Sequence, residues 1–246
     1  MAQVYSTPRS RNESLTSRVC SRLRQAILNA EFGLGEVLSE DKLASAFGIS
    51  RTPVRDALTA LQAQGLIEIR PHHGSLVFLP TRQEVSDLYE FRAILELQAL
   101  RMSIAYKRES TIAALHRAND EMEVGRKNGD LLAVAQADAA FHRAFVENCA
   151  NQYLTESYDI VSGRVIAILT RISMALGDIR ARAMNEHLAI ITALENGNAS
   201  KAKSILSSHI MKSLVWFDLA CKEGLLTTPH RSKEFPYADL TLEKEP

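Results

Sequence analysis

The sequence predicts a mainly α fold in two parts, a small N-terminal unit that ends in a β-hairpin and a larger C-terminal helical bundle. Three observations support this prediction. Apolar residues recur with the helical period along most of the 246-residue chain. Two short segments of β type follow Gly65 and flank a cluster of turn residues. After Pro80 the helical period resumes and continues, with short breaks, almost to the end of the chain.

The breaks in the helical period set the expected divisions of the chain. The predicted domains and flanking segments are a flexible basic arm (1–13), an N-terminal domain (14–80), a helical domain (81–224) and a loosely held C-terminal tail (225–246). Within the helical domain the predicted helices are 82–104, 110–127, 130–149, 151–176, 179–196 and 199–223.

Composition narrows the class of protein. Hydrophobic residues make up 46% and charged residues 24% of the chain, which is ordinary for a globular protein. The net charge is zero, so any contact with nucleic acid must come from a local patch. Three widely spaced cysteines fit neither a disulfide framework nor a zinc knuckle and indicate a reducing cytoplasm. The N-terminus has no apolar signal segment, and no run of about eighteen apolar residues could span a membrane, so we expect no membrane partner.

The stretch 38–66 has the plan of a helix-turn-helix. Two short segments with helical period are separated by a turn that contains Gly48, and Ser50 is a suitable N-cap for the second helix. The second helix of this motif enters the DNA major groove, and here it carries Arg51 and Arg55 one turn apart on its solvent side. Arginine can pair with a guanine edge or with phosphate. Helical hairpins with a glycine turn are common, however, and exposed arginines are usually only solvated.

A two-stranded hairpin is predicted directly after this helix. Segments 66–70 and 75–79 are of β type and flank a PHHG cluster that ends at Gly74. A hairpin in this position is the wing of a winged helix. Its tip could lie against phosphate or reach the minor groove, because glycine permits close backbone approach. An ordinary surface hairpin is the alternative, but the placement after the helix favours a wing.

Three of the seven histidines follow a pattern in the helical part. Asp138 and His142 lie four residues apart, one turn along one helix face. His187 and His209 occur on two later helices, each with apolar neighbours at helical spacing. One carboxylate and three imidazoles could converge on a divalent transition metal, which both ligand types suit. The spacing alone is weak evidence, because such pairs are mostly surface pairs and single histidines on apolar faces are mostly satisfied core residues.

The N-terminal part resembles a known family. The segment LSEDKLASAFGISRTPVRDALTALQAQGLIEIRPHHGSLV is similar to the winged-helix domain of GntR-type bacterial transcription regulators, and the likeness runs from about 15 to 80. The resemblance implies DNA contacts by the residues at the matching positions, Arg51, Thr52, Arg55, His73 and Gly74. Two departures leave the base preference open. His73 stands where many members carry arginine, and Asp41 stands where some carry a basic residue.

The helical part resembles the FCD domain, the all-α effector domain of the FadR branch of these regulators. Many FCD domains bind a metal through one aspartate and three histidines in the order found here. The resemblance implies the ligand set Asp138, His142, His187 and His209, with zinc or nickel as the favoured ion. It also implies that Arg92 contacts the effector, because it matches an arginine of the first FCD helix that often faces the ligand cavity.

Together the resemblances predict a ligand-responsive transcription regulator of the bacterial cytoplasm rather than an enzyme. The expected protein is a homodimer that binds a near-palindromic double-stranded operator and a small organic acid held at the metal, with repression as the family's commoner mode. A metal-dependent hydrolase with an added DNA-binding domain is one alternative, because three histidines and an aspartate could leave a position for activated water. An architectural DNA-binding dimer without an effector is the other.

Overall fold

The computed structural model describes residues 14–71, 74–176 and 179–227, together with Tyr237, Leu240 and Leu242. The predicted arm (1–13) and His73 lie outside the described residues. The elements in chain order are α1 (Leu15–Leu28), β1 (Val37–Leu38), α2 (Glu40–Phe47), α3 (Arg51–Ala63), β2 (Ile67–Arg70), β3 (Gly74–Val77), α4 (Arg82–Asn128), α5 (Leu131–Asn148), α6 (Gln152–Ala175), α7 (Ile179–Glu195) and α8 (Ala199–Lys222). This architecture confirms the mainly α fold class, with a winged helix-turn-helix followed by a helical bundle.

The N-terminal unit packs α1 across α3 and closes with a three-stranded sheet in the order β1-β3-β2. Gly48 ends α2 in the left-handed region at φ +66°, which a residue with a side chain rarely adopts. Ser50 occupies the N-cap of α3 as predicted, but its side chain makes no capping hydrogen bond. Strand β1 was not predicted, because two residues are too few to show an alternation. It adds an antiparallel partner to the outer edge of the wing hairpin.

The helical domain is built around α4, which packs along α5 and also contacts α6, α7 and α8. The two helices predicted at 82–104 and 110–127 form the two halves of α4. The break predicted between them is confirmed as a kink at Lys107, where the backbone is non-helical with φ −143° and ψ 48°. The other predicted helices of this domain lie within two residues of α5, α6, α7 and α8.

The C-terminal tail, where it is described, is held against the N-terminal unit. Leu226 and Leu240 are buried, and the ring of Tyr237 lies 6.2 Å from that of Phe32. The backbone N–H of Ser39 donates to the Tyr237 hydroxyl over 3.5 Å. These described residues are packed, and the rest of the predicted loosely held tail (225–246) lies outside the described residues. Single apolar residues among prolines and polar residues show no period, so the sequence gives no sign of this packing.

The two domains meet along α6. Arg171 donates to the carbonyl of Ala30 over 3.3 Å, and both residues are buried. Gly65 has φ +69°, and a side chain there would meet the Arg164 guanidinium about 3.1 Å away. The positive φ favours glycine at this position, whereas the Arg164 side chain could shift by the few tenths of an ångström that a Cβ would need. The same helix that contacts the winged helix also enters the core of the bundle.

Replacing Thr81 with alanine is expected to lower the free energy of unfolding by about 1 kcal/mol at neutral pH. Thr81 begins α4 with a capping box, in which its hydroxyl accepts from the N–H of Glu84 and the Glu84 carboxylate accepts from the N–H of Thr81 over 2.7 Å. These bonds hold the pKa of Glu84 below its usual value. A carboxyl with a lowered pKa stabilises the fold above its ordinary pKa, and this contribution is lost as the pH falls through the lowered one.

Urea denaturation at pH 7 and near pH 3 measures this effect. Ser204→Ala is the matched control, because Ser204 lies exposed within α8. If Thr81→Ala costs no more than this control at pH 7, the capping box does not stabilise the junction between the domains.

Candidate functional site

Four side chains from three helices converge in the helical domain. Asp138 and His142 lie on α5, His187 on α7 and His209 on α8, and one ligand atom from each lies within 4.8 Å of the others. The three histidines are buried or nearly so, while Asp138 is partly exposed. The structure therefore brings together all four residues of the predicted ligand set. None of the spacings along the chain requires this, since the four residues extend over more than half of the helical domain.

The contacts within this cluster are close. Nε2 of His142 lies 3.2 Å from Nε2 of His209, and Nε2 of His187 lies 3.6 Å from a carboxylate oxygen of Asp138. The ring of His187 stacks on Phe141 at 3.7 Å. Both ring nitrogens of His187 are buried without a hydrogen-bond partner among the described residues. A buried polar atom in this state is costly, so His187 is not a satisfied core histidine.

A buried carboxylate contacts His142 through Nδ1, the ring nitrogen that faces away from His209. Oε2 of Glu96 lies 2.6 Å from Nδ1 of His142, and Oε1 of Glu96 accepts from Nε of Arg92 over 2.5 Å. The hydroxyl of Tyr158 donates to the same carboxylate over 3.3 Å. The contact of Arg92 with an effector stays a prediction, and in the structure its guanidinium is held by Glu96. The reason is the i,i+4 spacing of Arg92 and Glu96, which pairs them on the inner face of α4.

A second carboxylate holds His209. Nδ1 of His209 lies 2.8 Å from Oε2 of Glu186, and the other oxygen of Glu186 accepts from the ammonium of Lys212. Sequence reasoning missed Glu96, Glu186 and Lys212. Weak signals for the last two existed, because Glu186 immediately precedes His187 and Lys212 follows His209 by one helical turn. Charged residues near a histidine are common, however, and a pattern in the sequence does not show which of them turn inward.

The charges of the cluster follow from its burial. Burial lowers the pKa of His142 and lowers that of His187 well below the usual histidine value, so both rings are neutral near pH 7. Burial opposes the charge on Glu96, but Arg92 and His142 outweigh it and hold the pKa of this carboxyl below its usual range. The hydrogen bond from His209 lowers the pKa of Glu186 to about 2. Both carboxylates are therefore ionised and can only accept hydrogen bonds.

A cavity of about 130 Å³ opens beside the cluster. Its polar wall includes Asp138, Glu186, His209 and Lys212, and its apolar wall comes from α4, α5, α6 and α8. The apolar side chains include Leu169 of α6. The cavity thus combines two residues of the predicted ligand set with one cation and one further carboxylate.

The N-terminal turn of α3 presents the predicted DNA contacts. Arg51, Thr52 and Arg55 are exposed there. Each arginine has an acidic partner on α2, because Arg51 pairs with Asp41 and Nη2 of Arg55 lies 3.0 Å from Glu40. Gly74 is exposed at the start of β3 with φ +80°, at the tip of the wing. The predicted DNA-contacting residues of α3 and the wing glycine Gly74 are therefore all accessible on the surface.

Comparison with known proteins assigns this architecture to a family. The family described as bacterial regulatory proteins, gntR family, matches residues 15–77, and the FCD domain matches residues 87–212. The chain belongs to the GntR family. Its C-terminal part is an FCD domain, and its relatives are transcription regulators rather than enzymes, as predicted.

Two relatives of this GntR-family regulator are 28% and 29% identical to it over the aligned residues. The transcriptional regulator LutR of Bacillus subtilis (strain 168) is 28% identical over 75% of this chain and 92% of its own. The probable D-xylose utilization operon transcriptional repressor of Paenarthrobacter nicotinovorans is 29% identical over 80% and 86%. Among solved structures, Escherichia coli McbR/YncC has a TM-score of 0.73 at 19% identity, covering 85% of this chain and 99% of that one. A GntR regulator from Rhodococcus sp. RHA1 has a TM-score of 0.72 at 23% identity, with 83% and 98% covered.

These structural likenesses show the shared fold. Within the described part of this GntR-family chain, no helix has the length and apolar character that crossing a membrane requires.

The four clustered side chains of the FCD domain suit a divalent transition metal. Bonds of about 2.0–2.1 Å from zinc to nitrogen allow two nitrogens on one ion to be at most roughly 4 Å apart. The two Nε2 atoms of His142 and His209 satisfy this limit at 3.2 Å. The unpartnered nitrogens of His187 supply a further donor. Three imidazoles and one carboxylate form a mixed nitrogen and oxygen set of the kind that zinc, nickel, copper and iron accept.

Proposed function

We propose that this GntR-family protein is a ligand-responsive repressor whose FCD domain binds a small carboxylate at a divalent metal. The observation that carries this proposal is the convergence of Asp138, His142, His187 and His209 beside a cavity, in a chain whose other domain is a winged helix-turn-helix. Asp138 and the three histidines would hold the ion. When bound, the ion would supply a Lewis-acidic site for a carboxylate oxygen, and the protein would bind and orient the rest of the acid.

The charges of the site favour an anionic effector. The charges of Arg92 and Glu96 cancel each other, as do those of Lys212 and Glu186, which leaves Asp138 as the acidic member of a ligand set whose imidazoles bind an ion in their neutral form. A divalent ion would make this site positive by one charge, and a monoanion restores neutrality in a poorly solvated environment. The ammonium of Lys212 on the cavity wall adds a second attraction for an anion.

The cavity limits the size of the effector. A cavity of about 150 Å³ holds benzene, so the 130 Å³ observed here fits a molecule of roughly that size. Both carboxylates beside the cluster, Glu96 and Glu186, are already bound to histidines. Neither is available as a general base for water, which favours binding over hydrolysis. The effector we propose is therefore a small organic acid that is bound without being changed.

Helix α6 is the proposed route from the cavity to the DNA-binding domain. Leu169 and Ile172 line the cavity. Arg171, on the same helix, reaches the carbonyl of Ala30 in the winged helix. In a dimer, a shift of α6 on effector binding would change the distance and angle between the two α3 helices. It would alter DNA affinity only if the acid prefers one placement of the helix.

We further infer a homodimer. Helices α4 and α6 pack against each other, and the exposed apolar side chains on them include Phe91, Ile94, Tyr153 and Ile160. Apolar surface of this kind is typical of an interface, and a two-fold axis would place two α3 helices for a near-palindromic operator. Relatives described as repressors of D-xylose and gluconate operons support repression as the mode of action.

Selection from a random pool of double-stranded DNA tests this function. We expect the protein to enrich a short near-palindromic site and to bind it as a species of twice the 27.3 kDa chain mass. The logarithm of the affinity should fall linearly with the logarithm of the salt concentration, because Arg and Lys contacts release counterions from phosphate. With Zn²⁺ present, at least one acid from a panel of small carboxylates is expected to weaken operator binding tenfold or more.

Three outcomes would contradict parts of the proposal. If the selection enriches no DNA sequence, the proposal that the protein binds a specific operator is wrong. Operator affinity that ignores both a chelator and every acid would favour an architectural protein. Turnover of an ester or amide substrate with Zn²⁺ would favour a hydrolase.

A further inference from the structure

Two histidines of the metal cluster are held in the same way by carboxylates outside it. Nδ1 of His142 faces Glu96 at 2.6 Å, and Nδ1 of His209 faces Glu186 at 2.8 Å. In both rings the other nitrogen, Nε2, faces the cluster, and the two Nε2 atoms lie 3.2 Å apart. Each ring therefore uses one nitrogen for a carboxylate and leaves the other for an ion.

The hydrogen bonds also select a tautomer. An ionised carboxylate can only accept, so it stabilises the neutral imidazole that carries its proton on Nδ1. In that tautomer the lone pair is on Nε2, which is the nitrogen that faces the cluster. The opposite tautomer would place a proton between the ring and the ion. Partners of this kind orient the rings that bind metals and raise their basicity.

We propose that Glu96 and Glu186 are positioning residues for metal binding, which fix the orientation and tautomer of His142 and His209. The inference rests on the metal site of the proposed function and deepens it by naming residues that would not touch the ion.

The two carboxylates differ in their surroundings. Glu96 is fully buried and is anchored by Arg92 and Tyr158, so it holds His142 rigidly. Glu186 is partly exposed, lines the cavity and forms an ion pair with Lys212. Substituting Glu96 would leave the buried Arg92 unpaired, which is strongly destabilising. Glu186 is therefore the position at which a variant is expected to remain folded.

A surface pair supplies an internal control. Glu195 lies 2.8 Å from His116, but it contacts Nε2 rather than Nδ1, and both side chains are about half exposed. The pair has the same chemistry as the two buried ones and lies outside the cluster. By the same reasoning, Glu195 selects the tautomer of His116 with the proton on Nε2.

Nitrogen NMR of the unsubstituted protein loaded with Zn²⁺ tests the inference without a mutation. In the metal-free protein the two Nε2 atoms lie within hydrogen-bond distance of each other, so one of them can carry a proton, and the tautomers are therefore measured with the ion in place. Near pH 8.5 the ¹⁵N shifts of the rings should show protonated Nδ1 in His142 and His209, and protonated Nε2 in His116. A bare Nδ1 in either His142 or His209 of the loaded protein would overturn the proposal.

Zinc affinity, measured by competition with a chromophoric chelator, tests Glu186 directly. Glu186→Met removes the acceptor and is expected to weaken Zn²⁺ binding about ten- to hundredfold. Glu186→Gln keeps an acceptor without the charge, so it should weaken binding less. The matched control Glu195→Gln should leave the affinity within twofold of the unsubstituted protein.

The zinc affinities of the unsubstituted protein and of the Glu186 variants separate this inference from the proposed function. If the unsubstituted protein binds no Zn²⁺, the metal site of the proposed function fails. If it binds Zn²⁺ and a folded Glu186→Met protein binds it equally well, only the positioning role is overturned. Equal losses in Glu186→Gln and Glu186→Met would show that the charge attracts the ion, without a role for ring orientation.

Discussion

His187→Leu is expected to abolish zinc binding and at the same time to stabilise the metal-free protein. His187 is fully buried, stacks on Phe141 and has two ring nitrogens without hydrogen-bond partners among the described residues. Leucine removes these polar atoms while keeping an apolar side chain of similar size. The desolvation penalty of an unsatisfied buried group is about 1–3 kcal/mol, so the free energy of unfolding should rise by up to that amount.

The same variant should lose the thermal stabilisation that zinc provides. A ligand that binds the native state stabilises it by RT ln(1 + [L]/Kd). The unsubstituted protein should therefore melt at a higher temperature with Zn²⁺, whereas His187→Leu should not respond. His116→Leu is the control, because His116 lies on the surface and should leave the zinc response intact. A variant that loses stability without metal and still binds zinc would show that His187 is an ordinary core residue.

Arg55→Ala is expected to reduce operator affinity by about 1–3 kcal/mol, or roughly ten- to hundredfold, and to relax the base preference at one position. Arg55 lies in the first turns of α3 with its side chain mostly exposed. Its side chain pairs with the partly exposed Glu40 among the residues that the structure describes, so its removal leaves no buried partner unsatisfied there. The fold should therefore be unchanged by circular dichroism and thermal melting.

Fluorescence anisotropy with the selected operator and with single-base variants measures this loss. Arg126→Ala is the matched control, because Arg126 is also exposed and ion-paired but lies near the end of α4. A uniform loss across all DNA sequences would make Arg55 a phosphate contact. If Arg55→Ala binds the operator as tightly as Arg126→Ala does, α3 is not the recognition helix.

The helical fold could be predicted because its signals are local. Caps, breaks and apolar periodicity placed α5 to α8 within two residues of their observed limits, and the motif after Leu38 placed the winged helix. The break between the two halves of α4 at Lys107 was also predicted, whereas no local pattern records how these halves pack in the bundle. The same holds for β1, whose two residues form a strand only because β3 lies beside them.

The candidate site was predictable in part, for a similar reason. Histidine and aspartate stand out because they are rare on apolar helix faces, so the four clustered residues could be singled out. Glutamate and lysine are common on helices, and nothing in the sequence shows that Glu96 turns inward and Glu186 turns towards His209. The pairing of Arg92 with Glu96, four residues later, was not predicted either, and the effector contact of Arg92 stays a prediction.

The ion pairs of Arg51 with Asp41 and of Arg55 with Glu40 bear on how the protein searches a chromosome. A phosphate that captures either arginine must displace a carboxylate already in place, so a contact with random DNA exchanges one ion pair for another. A guanine edge adds two directed hydrogen bonds to that exchange. If these arginines contact DNA as proposed, the cost of displacing the carboxylates is the same at every sequence, so it lowers specific and non-specific affinity by the same factor. The ratio of the two affinities, which decides where a regulator resides in a genome, then depends on the guanine contacts and not on the acidic neighbours.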